Sequence, residues 1–360
     1  MAERYKRIAV KIGSNVLTRA DGTLDVTRMS AIVDQVAELH HRGIQVIMIS
    51  SGAVASGRSE LNENKKLDAV SARQLYSAVG QAKLINRYYE LFREHRIACG
   101  QVLTTKENFS TRRHYLNQKH CMEVMLANDV IPIVNENDTV SVTELMFTDN
   151  DELSGLIASM MDMQALIILS NIDGVYDGNP KDASSKVITD ISGETDVSEF
   201  IQVGKSTFGR GGMTTKYRIA RKVASEGIAV IIANGKRDNI LQSVIGEERV
   251  VPYTLFHPSP TPTSGVKKWI AHSEGFAKGA VYINQGAAEA LLSSRGASLL
   301  PIGVTSIEGD FEKDDIVKVV APDGNVIALG RIGYDASDAK AVIGDRGARP
   351  IIHSDYLYID

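Results

Sequence analysis

RIAVKIGSNVLTRADGTLDVTRMSAIVDQVAELHHRGIQVIMIS, residues 7–50, has an apolar, β-branched run at each end and a helix-period segment between them. The end runs, Arg7–Gly13 and Ile44–Ser50, are too short for buried helices and apolar almost throughout, as strands covered on both faces would be. Between them Thr27–Arg42 places Ile32, Val33, Val36 and Leu39 at helical spacing, and Gly43 stands where the helix would stop. Strand, helix and strand in this order predict an α/β domain with a largely parallel sheet.

The alternation continues to about residue 235. Ile97–Leu103, Val130–Asn135, Ala165–Ser170 and Ile228–Ala233 read as further strands, and Val70–His95 and Arg112–Asn128 as further helices. Ligands of such sheets sit beyond the carboxyl ends of the strands, so the loops that follow strands are the candidate sites.

Near residue 252 the pattern changes. Pro252, Pro258, Pro260 and Pro262 crowd a segment that can be neither helix nor central strand. Beyond it, Gly279–Asn284, Asp315–Val320, Asn325–Arg331 and Ile351–Tyr358 read as β pieces, with one amphipathic helix at Gly286–Arg295. The expected organisation is a first domain over 1–255, a linker over 256–274 and a small β-rich domain over 275–360.

Bulk properties agree with two domains: 360 residues exceed one ordinary core, and 43% apolar with 23% charged residues is a globular balance. No run approaches the roughly 18 apolar residues of a membrane span. The opening MAERYKRIAV is charged and runs into a strand, so no signal peptide is expected. Cys99 and Cys121 show no CxxC spacing and the eight histidines no metal-ligand spacing. That argues against a disulfide framework or a zinc site and for the cytoplasm.

Several strand-end loops carry chemistry. Gly204-Lys205-Ser206 is not a phosphate loop, because position 199 is Glu where the Walker pattern needs glycine. Gly209-Arg210-Gly211-Gly212 differs: it leads into the helical segment Met213–Glu226. Free amides, the helix dipole and Thr214, Thr215 and Lys216 there suit an anion, though a plain cap has the same form. Lys11, inside an apolar strand, reads either as an edge lysine facing water or as a cation beside a phosphoryl group. Ser50-Ser51-Gly52-Ala53 fits a bound carboxylate or phosphate, or a helix cap. Asn135-Glu136-Asn137-Asp138 and Asp149-Asn150-Asp151-Glu152 form the densest polar cluster. Asp149 with Glu152 makes a capping box, yet three acids in four residues exceed what a cap needs. Such side chains would read amino and carboxylate groups or hold Mg2+ through its waters. Ser170 and Asn171 end a strand, and the turn-rich Ile172–Pro180 follows as a lip for a base and ribose. Lysines, glycine turns and acids at strand ends together suggest phosphoryl transfer, which needs positioned charge more than covalent help.

In this order KIGSNVL, SSGAVASG, VNENDTV, TDNDELSG and GRGGMTTK resemble the amino acid kinase family, specifically its glutamate-phosphorylating branch. The resemblance covers essentially the whole chain. It implies a three-layer α/β kinase domain followed by a PUA-like domain. It also implies ATP- and Mg2+-dependent phosphorylation of the glutamate side-chain carboxylate, opening proline biosynthesis. By matching motifs, Lys11, Asp151 and Lys216 would be catalytic. Ser51, Asn135, Asp138, Asp149 and Asn150 would hold L-glutamate. Lys11, Ser170, Asn171, Arg210, Gly211, Gly212, Met213, Thr214, Thr215 and Lys216 would contact ATP. Mg2+ would be held mainly by ATP phosphates and water, with no protein metal site. Proline inhibition, a homo-oligomer (dimer or tetramer) and hand-over of the acyl phosphate to glutamyl phosphate reductase are further implications. Two positions depart from the pattern: Asn171 stands where many members have Asp, and Arg210 where many have Thr.

Three other readings stay in view. Aspartate, N-acetylglutamate or carbamate would be alternative acceptors. A catalytically silent amino acid sensor is disfavoured by the presence of Lys11, Asp151 and Lys216. RNA binding through the tail is disfavoured by charge: residues 275–360 hold 8 Lys and Arg against 12 Asp and Glu, the whole of the chain's net −4.

Overall fold

The computed structural model describes residues 4–61, 67–141, 147, 149–193, 195, 197, 212–261, 265–293 and 296–359. They divide into two compact units, Met1–Asn108 with Leu116–Pro262, and Phe109–Tyr115 with Thr263–Asp360.

The first unit is α/β. Its strands are β1 (Arg7–Ile12), β2 (Gln45–Ile49), β3 (Ala98–Thr104), β4 (Val130–Glu136), β5 (Ala165–Ser170), β6 (Asp190–Ile191), β7 (Ala229–Asn234) and β8 (Thr254–Phe256). Among the described residues they form one eight-stranded sheet in the order β3-β4-β2-β1-β5-β7-β8-β6. From β3 through β7 every neighbouring pair is parallel, and β8 runs antiparallel to β7. Consequently the polar loops after β1, β2, β4 and β5 open on one edge of the sheet. β1 lies at its centre, with Lys11 opposite Ile49 on one side and Ile168 on the other. On one face Ile8, Val10 and Ile12 join a core with Ile32, Val33 and Val36 of the helix Val26–His41 and Tyr88 and Phe92 of the helix Ala69–Glu94.

The apolar runs foretold β1 to β5 and β7 to within a residue or two. β3 differs in exposure: as the sheet edge its residues alternate between half-buried and exposed, with only Thr104 buried. β6 and β8 are two and three residues long, too short to show a period. The span 256–274, read as a linker, holds the helix Gly265–Ala271 with Trp269 and Ile270 buried. Its prolines end at Pro262, and Val266, Trp269 and Ile270 then take helical spacing.

Within the second unit Trp269 Nε1 donates to the Phe109 carbonyl at 3.0 Å. Among the described residues its sheet has five strands: β9 (Gly279–Ile283), β10 (Val304–Gly309), β11 (Ile316–Val320), β12 (Val326–Arg331) and β13 (Leu357–Ile359). Their order is β10-β9-β11-β12-β13, antiparallel except for β9 with β11. The run Ile351–Tyr358, read as one strand, instead enters as a 3-10 turn at Ser354–Tyr356 before β13. Among the described residues no helix of the chain is long and apolar enough to cross a membrane.

A close approach fixes the loop after β2. The helix Ala53–Arg58 packs on the helix Ala69–Glu94 backbone to backbone: a Cβ at Gly80 would fall 1.8 Å from the Ala53 carbonyl oxygen. A backbone atom has no rotamer by which to yield. Gly80→Ala should therefore cost about 2 kcal/mol in overpacking. Thermal unfolding should show a midpoint lower by about 5 °C; an unchanged midpoint would contradict this packing.

Candidate active site

Three elements converge on one carboxylate. Lys11, only 5% exposed, reaches from the central strand to Asp151 Oδ1 at 2.5 Å. Lys216, in the first turn of the helix Met213–Ser225, reaches Asp151 Oδ2 at 2.8 Å. Asp151 is fully buried in the first turn of the helix Asn150–Met160. The two helices lie close because Gly155 faces Ile219 and Val223, where a Cβ would meet Ile219 at 2.7 Å. Burial alone would raise the Asp151 pKa, but Lys11 and Lys216 outweigh it and hold it below the ordinary carboxylate range.

Asp149 caps that helix, its Oδ1 accepting from the amides of Asp151 at 2.9 Å and Glu152 at 3.0 Å. The cap reading was thus correct in part, while the Glu152 carboxylate lies 3.5 Å from Lys106. The other Asp149 oxygen is buried with no hydrogen-bond partner among the described residues. Burial, and then the charge of Asp151, push the Asp149 carboxyl upward.

Beside this centre Asn150 ties three loops together. Its Nδ2 donates to the Ser50 carbonyl at 3.1 Å, Ser51 Oγ at 2.8 Å and Asn135 Oδ1 at 3.3 Å. Asp138 also faces the cleft, but two residues that the sequence reading passed over hold it: Arg73 Nε donates to Oδ1 at 2.8 Å and Ser77 Oγ to Oδ2 at 3.1 Å. Arg73 Nη2 bonds both Asp138 and, at 3.0 Å, Glu136. A single arginine on a helix otherwise reads as a solvated face. Its only signal was Ser77 one turn further on the same face.

Ser170, nearly buried, closes β5, and Asn171 beyond it is exposed. Bidentate pairing of Arg237 with Asp173, at 2.7 and 2.9 Å, anchors the loop that follows. Gly212 precedes the helix Met213–Ser225 and makes no side-chain cap.

One cavity of about 1260 Å³ is lined by Lys11, Ser51, Asn135, Asp138, Asp149, Asn150, Asp151, Ser170, Asn171, Gly212, Met213 and Lys216 together. Thr214 and Thr215 are not on its wall. Arg210 and Gly211 lie outside the described residues, as do Gly204, Lys205 and Ser206. Among the described residues no three His, Cys, Asp or Glu side chains are placed to hold a metal ion. The two lysines and Asp151 by themselves carry a net positive charge, which suits an anion, and the Asp149 carboxyl lies close enough to interact with both lysines. The Glu136–Arg73–Asp138 group has a surplus negative charge.

Residues 6–234 match the amino acid kinase family and residues 279–353 the PUA domain. The chain is 66% identical over 360 residues to a glutamate 5-kinase of Bacteroides thetaiotaomicron, covering 100% of both chains. It is 46% identical to a glutamate 5-kinase of Chlorobaculum tepidum, over 99% of this chain and 98% of that one. A Thermoanaerobacter glutamate 5-kinase is 39% identical over 94% of this chain and 90% of its own.

Asp151→Asn would leave two buried ammonium groups without their shared counter-charge, a loss of about 3 to 5 kcal/mol. The unfolding midpoint should fall by roughly 10 °C. Pyrophosphate should raise it more in the variant than in the native protein, because the anion replaces the missing charge. Equal shifts would contradict the arrangement. Since the folded Asp151 pKa is depressed, its stabilisation is present above the ordinary carboxylate range and is lost only as pH falls through that lowered value.

Proposed function

The chain belongs to the glutamate 5-kinases of the amino acid kinase family, and we propose how its residues move the terminal phosphoryl group of ATP onto the side-chain carboxylate of L-glutamate, the first step of proline biosynthesis. A carboxylate oxygen forms the new bond to phosphorus while the bond to the bridging oxygen breaks, and ADP leaves with the electron pair. The acceptor is already ionised near neutral pH, so no general base is required. The obstacle is electrostatic: an anion must approach an anion.

One observation carries the assignment. A buried Lys11–Asp151–Lys216 centre with surplus positive charge stands in a cleft shared by two groups of loops. Lys11 and Lys216 neutralise the charge of the transferring phosphoryl group, and Asp151 fixes both ammonium groups in place before reaction. Toward the acceptor, Ser51, Asn135 and Asn150 hold glutamate, with Asp149 nearby, and Asp138 receives its α-ammonium. Toward the nucleotide, Ser170, Asn171, Gly212, Met213 and Lys216 meet ATP, with Arg210, Gly211, Thr214 and Thr215 completing the motif. Mg2+ would be held mainly by the ATP phosphates and water, and Asp149, whose buried second oxygen has no partner among the described residues, would meet one of those waters. When bound it supplies further charge neutralisation. Proline, with an amino and a carboxylate group but no side-chain acceptor, fits the same glutamate pocket as an inhibitor.

The test is trapping of the acyl phosphate with hydroxylamine in the presence of ATP and Mg2+. L-glutamate should give hydroxamate; L-aspartate, N-acetylglutamate and no acceptor should give background. Hydroxamate from aspartate or N-acetylglutamate at a comparable rate would overturn the assignment of the acceptor pocket.

A further inference from the structure

We propose that Arg73 is a specificity-determining residue: by clamping Asp138 and Glu136 side by side it presents one surplus negative charge to the acceptor and so demands a free α-ammonium group. This rests on the reading that Asp138 faces glutamate.

The geometry makes Arg73 a clamp rather than a solvated side chain. Its Nε lies 2.8 Å from Asp138 Oδ1 and its Nη2 bonds both carboxylates. Both acids are nearly buried, at 7% and 4% exposed. The helix Ala69–Glu94 supplies the rest of the frame with neutral groups. Ser77 donates to Asp138, Gln74 to the Thr139 carbonyl at 2.8 Å and Gln81 to the Glu136 carbonyl at 3.2 Å. Ser141 Oγ and the Phe147 amide complete Glu136 at 3.0 and 2.9 Å. Among the described residues the ion pairs of Asp138 and Glu136 are those with Arg73. Arg58, from the helix packed alongside, stands over the Tyr76 ring. Burial and then the Asp138 charge raise the Glu136 carboxyl pKa, and the Phe147 amide, Arg73 and Ser141 oppose them in that order.

A like charge two residues away disfavours an ionised Glu136, and the bridging Arg73 cation favours it. Arg73 satisfies one of the pair and leaves one charge for the ligand. An N-acylated amino acid offers no cation to it and sets an acyl group against it, which leaves the surplus negative charge of the pair unmet. Bidentate geometry matters as much as charge, so lysine is not an equivalent.

The experiment compares native protein, Arg73→Met, Arg73→Lys and Asp138→Asn in hydroxamate kinetics with glutamate and N-acetylglutamate, as a function of pH, on protein shown to be folded by circular dichroism. Arg73→Met should raise the glutamate KM by about tenfold or more, the scale of a lost charge-assisted bond, with a smaller change in kcat. The acid limb of kcat/KM for glutamate should move to higher pH, because without Arg73 the Glu136 carboxyl, already pushed upward, takes up a proton more readily. Arg73→Lys should restore the limb but only part of the KM. The preference for glutamate over N-acetylglutamate should narrow in Arg73→Met. An unmoved acid limb, or an unchanged glutamate KM, overturns the inference. An unchanged glutamate KM in Asp138→Asn overturns instead the placement of glutamate on which it rests. If Arg73→Met does not fold, the split in Arg73→Lys between a restored limb and a raised KM decides the matter.

Discussion

The Asp151 carboxylate, held between Lys11 and Lys216, is the contact on which the site depends. A lysine in the central strand of a buried sheet is costly unless its charge is met, and here one acid meets two lysines. The acid is in turn fixed by its helix: Asp149 caps the first turn, and Gly155 lets the helix carrying Lys216 come close. Strand and both helices thus share one electrostatic junction. Two cations against Asp151 leave a positive surplus, felt also by the neighbouring Asp149 carboxyl, that suits an anionic ligand. In this account that ligand is the phosphoryl group in transfer.

The cleft also has a negative pole. Arg73 between Asp138 and Glu136 leaves a surplus of opposite sign at the loop after β4. On the proposed reading, glutamate would direct its ammonium to one pole and its side-chain carboxylate to the other. The same cleft carries neutral donors and acceptors, Ser51, Asn135 and Asn150, with Asn150 bonded to the other two. They hold the loops in register before any substrate arrives, which lowers the entropy of ordering them on binding.

Much of this was legible in the chain because parallel strands buried on both faces have a plain signature. Lys11 stood out as the one charge in the apolar run Ile8–Ile12, and Asp149 as a cap with an acid too many beside it. The pairing of Lys11 with Asp151, 140 residues away, was not readable from spacing. Arg73 stayed hidden for the same reason: its partners lie 63 and 65 residues on, and on its own helix it resembles any exposed arginine. Prolines masked the short strand β8 and the helix that follows them. Nor did any local pattern announce that Phe109–Tyr115 groups with the second unit, since a long-range contact leaves no periodicity.

The most direct measurement is steady-state kinetics of Lys11→Met and Lys216→Met, with kcat and the KM for ATP and glutamate determined separately. If the two ammonium groups act on the charge that moves during transfer, each substitution lowers kcat by about a hundredfold or more and changes both KM values far less. A raised KM for ATP at unchanged kcat would mean that the lysines only hold the nucleotide, and would contradict the account.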